Sequence, residues 1–169
     1  AAGYAVPFFS IEMPRVQLGA RLVSMDARVD LKRMREQSFP PAERLKADAS
    51  MKLLRDLPLF IDDSAVLTPL DIKARIKRIQ REVAAGKHPN VTTRRIGAAF
   101  IDYLQLVRPT RDTHSREQDV ASIGRELKIL SKVLGIPIVA LCQLNREVEK
   151  RVDKRPQLSD LRESGAIEQ

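Results

Sequence analysis

Three polar residues stand where apolar runs end: Glu12 after AVPFFSI, Asp102 after RIGAAFI, and Gln143 after IPIVALC. A carboxylate at the carboxyl end of a buried strand occupies the crevice where open α/β sheets bind ligands. Beside a nucleoside triphosphate its usual task is to hold Mg²⁺. A second carboxylate at a neighbouring strand end can take a proton from an attacking water, and an amide can read a phosphate oxygen. Taken singly, each has a plain alternative. Asp102 and Glu12 can close a strand or cap a turn, and Gln143 can be a satisfied buried amide.

The elements that must carry these residues follow from apolar periodicity. The run 96–101 has no polar alternation, as in a strand covered on both faces. Residues 5–11 and 136–141 read the same way, and LPLFIDDS supplies a fourth strand. Between them lie helical patterns. Pro14 opens a helix with Leu18, Leu22 and Met25 inward and Arg21 on it. A short helix starts after Asp30. Pro40 and Pro41 open a longer one with an inward row of Leu45, Ala49, Leu53 and Leu57. Thr68 or the preceding turn opens a helix burying Ile72, Ile76, Ile79 and Val83 and ending at Gly86. A last long helix, about 115–134, buries Val120, Ile123, Leu127, Leu130 and Leu134 and stops at Gly135. Strands alternating with helices in this order give an α/β fold with a parallel sheet and helices on both sides.

Composition narrows the classes. The chain has 169 residues, 43% hydrophobic and 31% charged, which suits one globular domain. No apolar run approaches a membrane span and no secretory signal opens the sequence, so we expect a soluble cytoplasmic protein with no membrane partner. The single cysteine, Cys142, cannot form an internal disulfide and agrees with a reducing compartment. A net charge of +8 favours a polyanionic partner. Aromatics at 4% with no tryptophan argue against a base-stacking platform and leave backbone phosphate contact. From Asp71 to Arg95, eight Lys/Arg stand against two Asp/Glu, a run that reads as a solvated helix face. Asp62 and Asp63 face opposite ways on a strand and so read as turn and cap residues rather than a shared ion site. His88 and His114 lack partners at zinc-ligand spacing. The remaining charged stretch 146–169 has no apolar period before Leu158 and reads first as a long charged loop; Ser159 to Gly165 then reads as a loop or helix start with exposed amides, where Gly165 allows close backbone approach to a phosphate. The abrupt start in a strand and the stop at SGAIEQ read as a segment of something longer.

Four stretches, FFSIEM, FIDYLQL, PIVALCQLNR and KRPQLSDLRESGAIEQ, stand in the order and spacing of the bacterial replicative DNA helicases of the DnaB family, which the whole chain resembles. The resemblance implies an α/β, RecA-like three-layer sandwich with a mainly parallel central sheet. It also implies an ATP-dependent replicative DNA helicase of 5'-3' polarity that uses ATP and Mg²⁺. The implied partners are single-stranded DNA, identical subunits in a homohexamer of the full-length protein, a primase and a helicase loader. By the same likeness Glu12 orients and deprotonates the attacking water. Asp102 holds Mg²⁺ through water, Gln143 senses the γ-phosphate, Arg21 lies near the nucleotide, and Arg162, Glu163 and Gly165 contact DNA. The sequence departs from the family in carrying no G-x-x-x-x-G-K-[ST] loop, no arginine finger and no amino-terminal collar. Residues 1–169 are therefore expected to be a partial motor domain, inactive alone. Pro7 in the first strand and Cys142 in place of a common serine are smaller departures. Two other readings stay open: a non-catalytic DNA- or subunit-binding remnant of the fold, and another RecA-like ATPase.

Overall fold

The computed structural model describes residues 3–36, 38–111, 115–144, 147–157 and 160, with the Glu147 side chain excepted. Four strands, β1 (Val6–Ser10), β2 (Leu59–Asp62), β3 (Ala99–Asp102) and β4 (Ile138–Ala140), form one sheet in the order β2-β1-β3-β4. Every pairing is parallel, with Phe8 opposite both Ile61 and Phe100, and Phe100 opposite Val139. Parallel neighbours need crossovers, and these are α1 (Arg15–Ala27), α2 (Leu31–Arg35), α3 (Pro41–Arg55), α4 (Pro69–Ala84) and α5 (Arg116–Leu134). A short α6 (Glu147–Lys150) follows β4.

The period of two sorts the strand side chains onto two faces. Phe60, Phe9, Ala99, Ile101, Ile138 and Ala140 share one face and join the core with Ile72, Ile76 and Val83 of α4 and Val120, Ile123 and Leu127 of α5. On the other face Ile61 and Leu59 line a cleft with α1 and α3. Phe8 and Phe100 stack there with ring centroids 6.2 Å apart.

Helix boundaries have local causes. Thr68 and Asp71 form a reciprocal capping box at α4, with Pro69 in the first turn. Asp30 caps α2, Ser115 caps α5, and Gly135 ends α5 at φ 65°, a left-handed conformation that costs glycine nothing. Pro7 is buried inside β1. It is tolerated because main-chain donors alternate sides: Ala5 and Ile11 donate toward the β3 side and Val6 toward β2. The donor missing at Pro7 therefore faces the β3 side, where regular pairing begins only at Phe8 with Phe100.

Three expectations are corrected. In α3 the buried residues are Ala47 and Ser50, whereas Leu45 and Leu53 are 71% and 59% exposed. This helix packs on α1 rather than into the main core, so a strip of small residues suffices. In α1, Val23 is the buried residue and Met25 is exposed. The charged stretch after β4 is not all loop, since α6 lies in it and buries Val148.

The two helix faces make a quantitative contrast. Ile76→Ala removes a fully buried side chain from the α4 core and should cost about 2–5 kcal/mol, whereas Leu53→Ala should stay within about 0.5 kcal/mol. Urea unfolding midpoints measure both, and similar losses for the two variants would contradict the assigned α3 face.

Candidate nucleotide site at the carboxyl rim of the sheet

Because β1, β3 and β4 are adjacent and parallel, their carboxyl ends share one rim. Ser10 pairs with Asp102, placing Glu12 two residues past that rung, and Ala140 pairs with Ile101, placing Gln143 three residues past its own. With neighbouring strands about 4.8 Å apart, the three strand ends span about 10 Å, within reach of one ligand for side chains of this length. Glu12 and Gln143 are exposed and Asp102 is half-buried. Among the described residues no protein group hydrogen-bonds the side chain of any of the three. Arg21 sits on an exposed turn of α1, six residues or about 9 Å along the helix from Arg15. The described contacts do not tie Arg21 to the strand ends. Arg162, Glu163 and Gly165 lie outside the described residues, as does His114.

The loop bearing Glu12 is fixed on both sides. The buried Ser10 hydroxyl donates to the Met13 carbonyl at 2.8 Å, and the Ile11 N–H donates to the Asp102 carbonyl at 3.0 Å. Pro14 offers no side-chain cap to α1, and a residue from β2's end does so instead. Asp63 Oδ2 accepts from the Arg15 N–H at 2.9 Å, and Oδ1 accepts from Arg15 Nε at 3.0 Å. A carboxylate at a helix N-terminus also meets the positive end of the helix dipole. Its neighbour Asp62 points to the opposite face, accepting from Arg75 of α4 and from the Ser64 N–H at 3.1 Å. The adjacent acids thus clamp one helix layer each.

These contacts depress both carboxyls. Asp63 is lowered by the Arg15 main-chain N–H and then by its guanidinium. For Asp62, burial pushes upward, but hydrogen bonds from Arg75 and Ser64 together outweigh it and leave the group lowered. Burial raises the Cys142 thiol, which works against its use as a nucleophile. The ring of His88 stands edge-on to Phe60 at 4.7 Å with a nitrogen 3.2 Å from Glu82, a packing role.

A further polar residue at the rim gave no sequence signal beyond its place in FIDYLQL. After β3 the chain makes a cis Asp102-Tyr103 peptide and a 3-10 turn, Leu104–Leu106. Gln105 in that turn is buried, and its side-chain amide bonds the main chain of Gln143 twice. The Gln143 N–H donates to Oε1 and Nε2 donates to the Gln143 carbonyl, both at 3.2 Å. Arg116, in the first turn of α5, donates to the Gln105 carbonyl. Downstream, Arg151 gathers the loop after α6 by donating to Gln157, the Arg155 carbonyl and Asp160. Asp160 is held below the usual carboxylate range, first by the Gln157 N–H at 2.6 Å and then by Arg151.

Since Asp63 is lowered on folding, its contribution is complete above the unfolded carboxylate value of about 3.9 and is lost as pH falls through the lower folded value. Asp63→Asn should therefore lower the urea midpoint at pH 7, with a smaller gap from the parent at pH 3. An equal gap at both pH values would show that the ionised contact with Arg15 contributes nothing.

A family model described as the DnaB-like helicase C terminal domain matches residues 1–169. The replicative DNA helicase DnaB of Leifsonia xyli subsp. xyli is 41% identical over 162 residues, covering 96% of this chain and 33% of that protein. The chain thus spans about a third of the length of that curated relative. Among solved structures, the ATPase domain of G40P superposes with a TM-score of 0.86 at 30% identity, covering 98% of this chain and 56% of that one. A DnaB-like replicative helicase, reported with its interactions with primase, gives a TM-score of 0.85 at 30% identity, covering 98% of this chain and 38% of that one. The α/β architecture is accordingly RecA-like. The chain belongs to the family of DnaB-like helicase C-terminal domains.

Proposed function

We propose that these residues are the central part of the motor domain of a hexameric replicative DNA helicase, hydrolysing ATP at the sheet rim to move on single-stranded DNA in the cytoplasm. The observation that carries this reading is the convergence of Glu12, Asp102 and Gln143 at three neighbouring strand ends. Phosphoryl transfer needs positioning and charge neutralisation more than covalent chemistry from the protein, and such a set supplies both.

In this reading Glu12 takes the proton of the attacking water as its oxygen bonds to the γ-phosphorus and the bond to the β-phosphate oxygen breaks. Gln143 contacts the γ-phosphate and registers its loss. Asp102 suits a magnesium-holding role because its half-buried carboxylate has no competing protein donor among the described residues. A lone protein carboxylate is typical for an ion that keeps several waters and binds phosphate oxygens. When bound, Mg²⁺ supplies neutralisation of phosphate charge. Arg21 adds a positive charge near the nucleotide. Arg162, Glu163 and Gly165 contact the DNA backbone, with Glu163 acting through its main-chain amide. The net charge of +8 agrees with a polyanionic partner. A neighbouring replicative helicase reported with its interactions with primase supports a primase partner; 5'-3' movement and a helicase loader rest on the family resemblance alone.

In the full-length protein containing this segment, Glu12→Gln should lower DNA-stimulated ATP turnover by about 10²–10⁴-fold, the usual worth of a positioned base, with nucleotide affinity retained. Steady-state ATPase assays with a fluorescent-nucleotide binding control measure this. Turnover within twofold of the parent, roughly the scatter of such comparisons, would remove Glu12 from the chemistry.

A further inference from the structure

We propose that Gln105 is a positioning residue whose side chain fixes Gln143 against the β3 end, setting where the phosphate-reading amide stands relative to Asp102. The inference rests on the function proposed above and adds a residue to that site.

Main-chain pairing between β3 and β4 runs out before Gln143. Leu141 donates to the Ile101 carbonyl at 3.0 Å, and Leu104 donates back to the Leu141 carbonyl at 2.8 Å. The β3 chain then turns away into Leu104–Leu106, so on the β3 side the ladder does not reach the Gln143 main chain. Gln105 takes the place of a strand neighbour on that side. Its amide offers one acceptor and one donor to the Gln143 N–H and carbonyl, both at 3.2 Å, as a paired strand residue would. A carboxylate of the same length can accept but not donate, and an isosteric leucine can do neither.

Two further facts separate this bracket from an incidental surface contact. Gln105 is 8% exposed, so an amide left unpaired there carries a desolvation cost that favours keeping both bonds. Its own carbonyl is held by Arg116 of α5, anchoring the bracket from behind. Within Gln143 the bracket engages the main chain, while the Gln143 side chain stays exposed and available to a ligand. A displacement of Gln143 when phosphate leaves would therefore pass through Gln105 to the β3 turn and the start of α5.

The test compares Gln105→Leu and Gln105→Glu with the parent in the full-length protein containing this segment. Hydrogen-exchange mass spectrometry of the peptide spanning Leu141–Leu144 reads the bracket, and DNA-stimulated ATPase kinetics read its use. Gln105→Leu should speed exchange in that peptide and lower kcat by about tenfold or more, as expected for losing two buried hydrogen bonds that orient one group. KM for ATP should stay within about twofold, because the nucleotide's other contacts remain. Gln105→Glu, which keeps the acceptor, should fall between the two. Unchanged exchange in Gln105→Leu, or equal kcat in leucine and glutamate variants, would overturn the proposal. So would losses in kcat and KM that track a general fall in thermal stability. A parent protein without ATP turnover would instead remove the function proposed above, and the exchange measurement would still decide whether the bracket exists.

Discussion

Parallel pairing is the constraint on which the rest depends. In a parallel sheet every strand ends on the same edge, so residues far apart in sequence meet there without any contact between their side chains. β1 lies between β2 and β3, and β3 lies between β1 and β4. The register Phe9–Ile101–Ala140 fixes how far each chain continues past its last rung. A slip of one residue in β3 would turn Ile101 out of the core and move Asp102 off the rim together, so core burial enforces site geometry.

The rim itself is stiffened by polar contacts rather than by apolar packing. Ser10 and Asp63 hold the turn that carries Glu12, and Gln105 holds the strand end that carries Gln143. Asp62 and Asp63 divide their work because adjacent strand residues face opposite layers: one reaches Arg75 of α4 and the other Arg15 of α1. Each helix layer is thereby tied to the same end of β2. The candidate ligand-contacting side chains are left without protein partners among the described residues, while the main chain beneath them is tied down. Such preorganisation is what a site acting by positioning and electrostatics requires.

Much of this was legible in the sequence because the signals were redundant. Continuous apolar runs, Thr68 at the start of one helix, and Gly135 at the end of another all agreed on element boundaries, and the strand ends drew attention to Glu12, Asp102 and Gln143. The errors have physical reasons. The row Leu45, Leu53 looks like a core stripe by hydrophobicity, but α3 packs on another helix through Ala47 and Ser50, and size at the contact outweighs apolarity at the periphery. Helix α6 is one turn, too short for a period to show. Gln105 was invisible because a side chain replacing a strand neighbour leaves no spacing rule; only tertiary structure reveals which main chain it bonds. Pro7 looked hostile to a central strand, yet its missing donor falls before the β3 ladder starts.

The most direct test of the central claim is a structure of the full-length protein bound to a non-hydrolysable ATP analogue and Mg²⁺. The account predicts the metal's coordinated water against Asp102, with Glu12 and Gln143 facing the γ-phosphate from either side. A nucleotide bound away from the carboxyl ends of β1, β3 and β4 would contradict it.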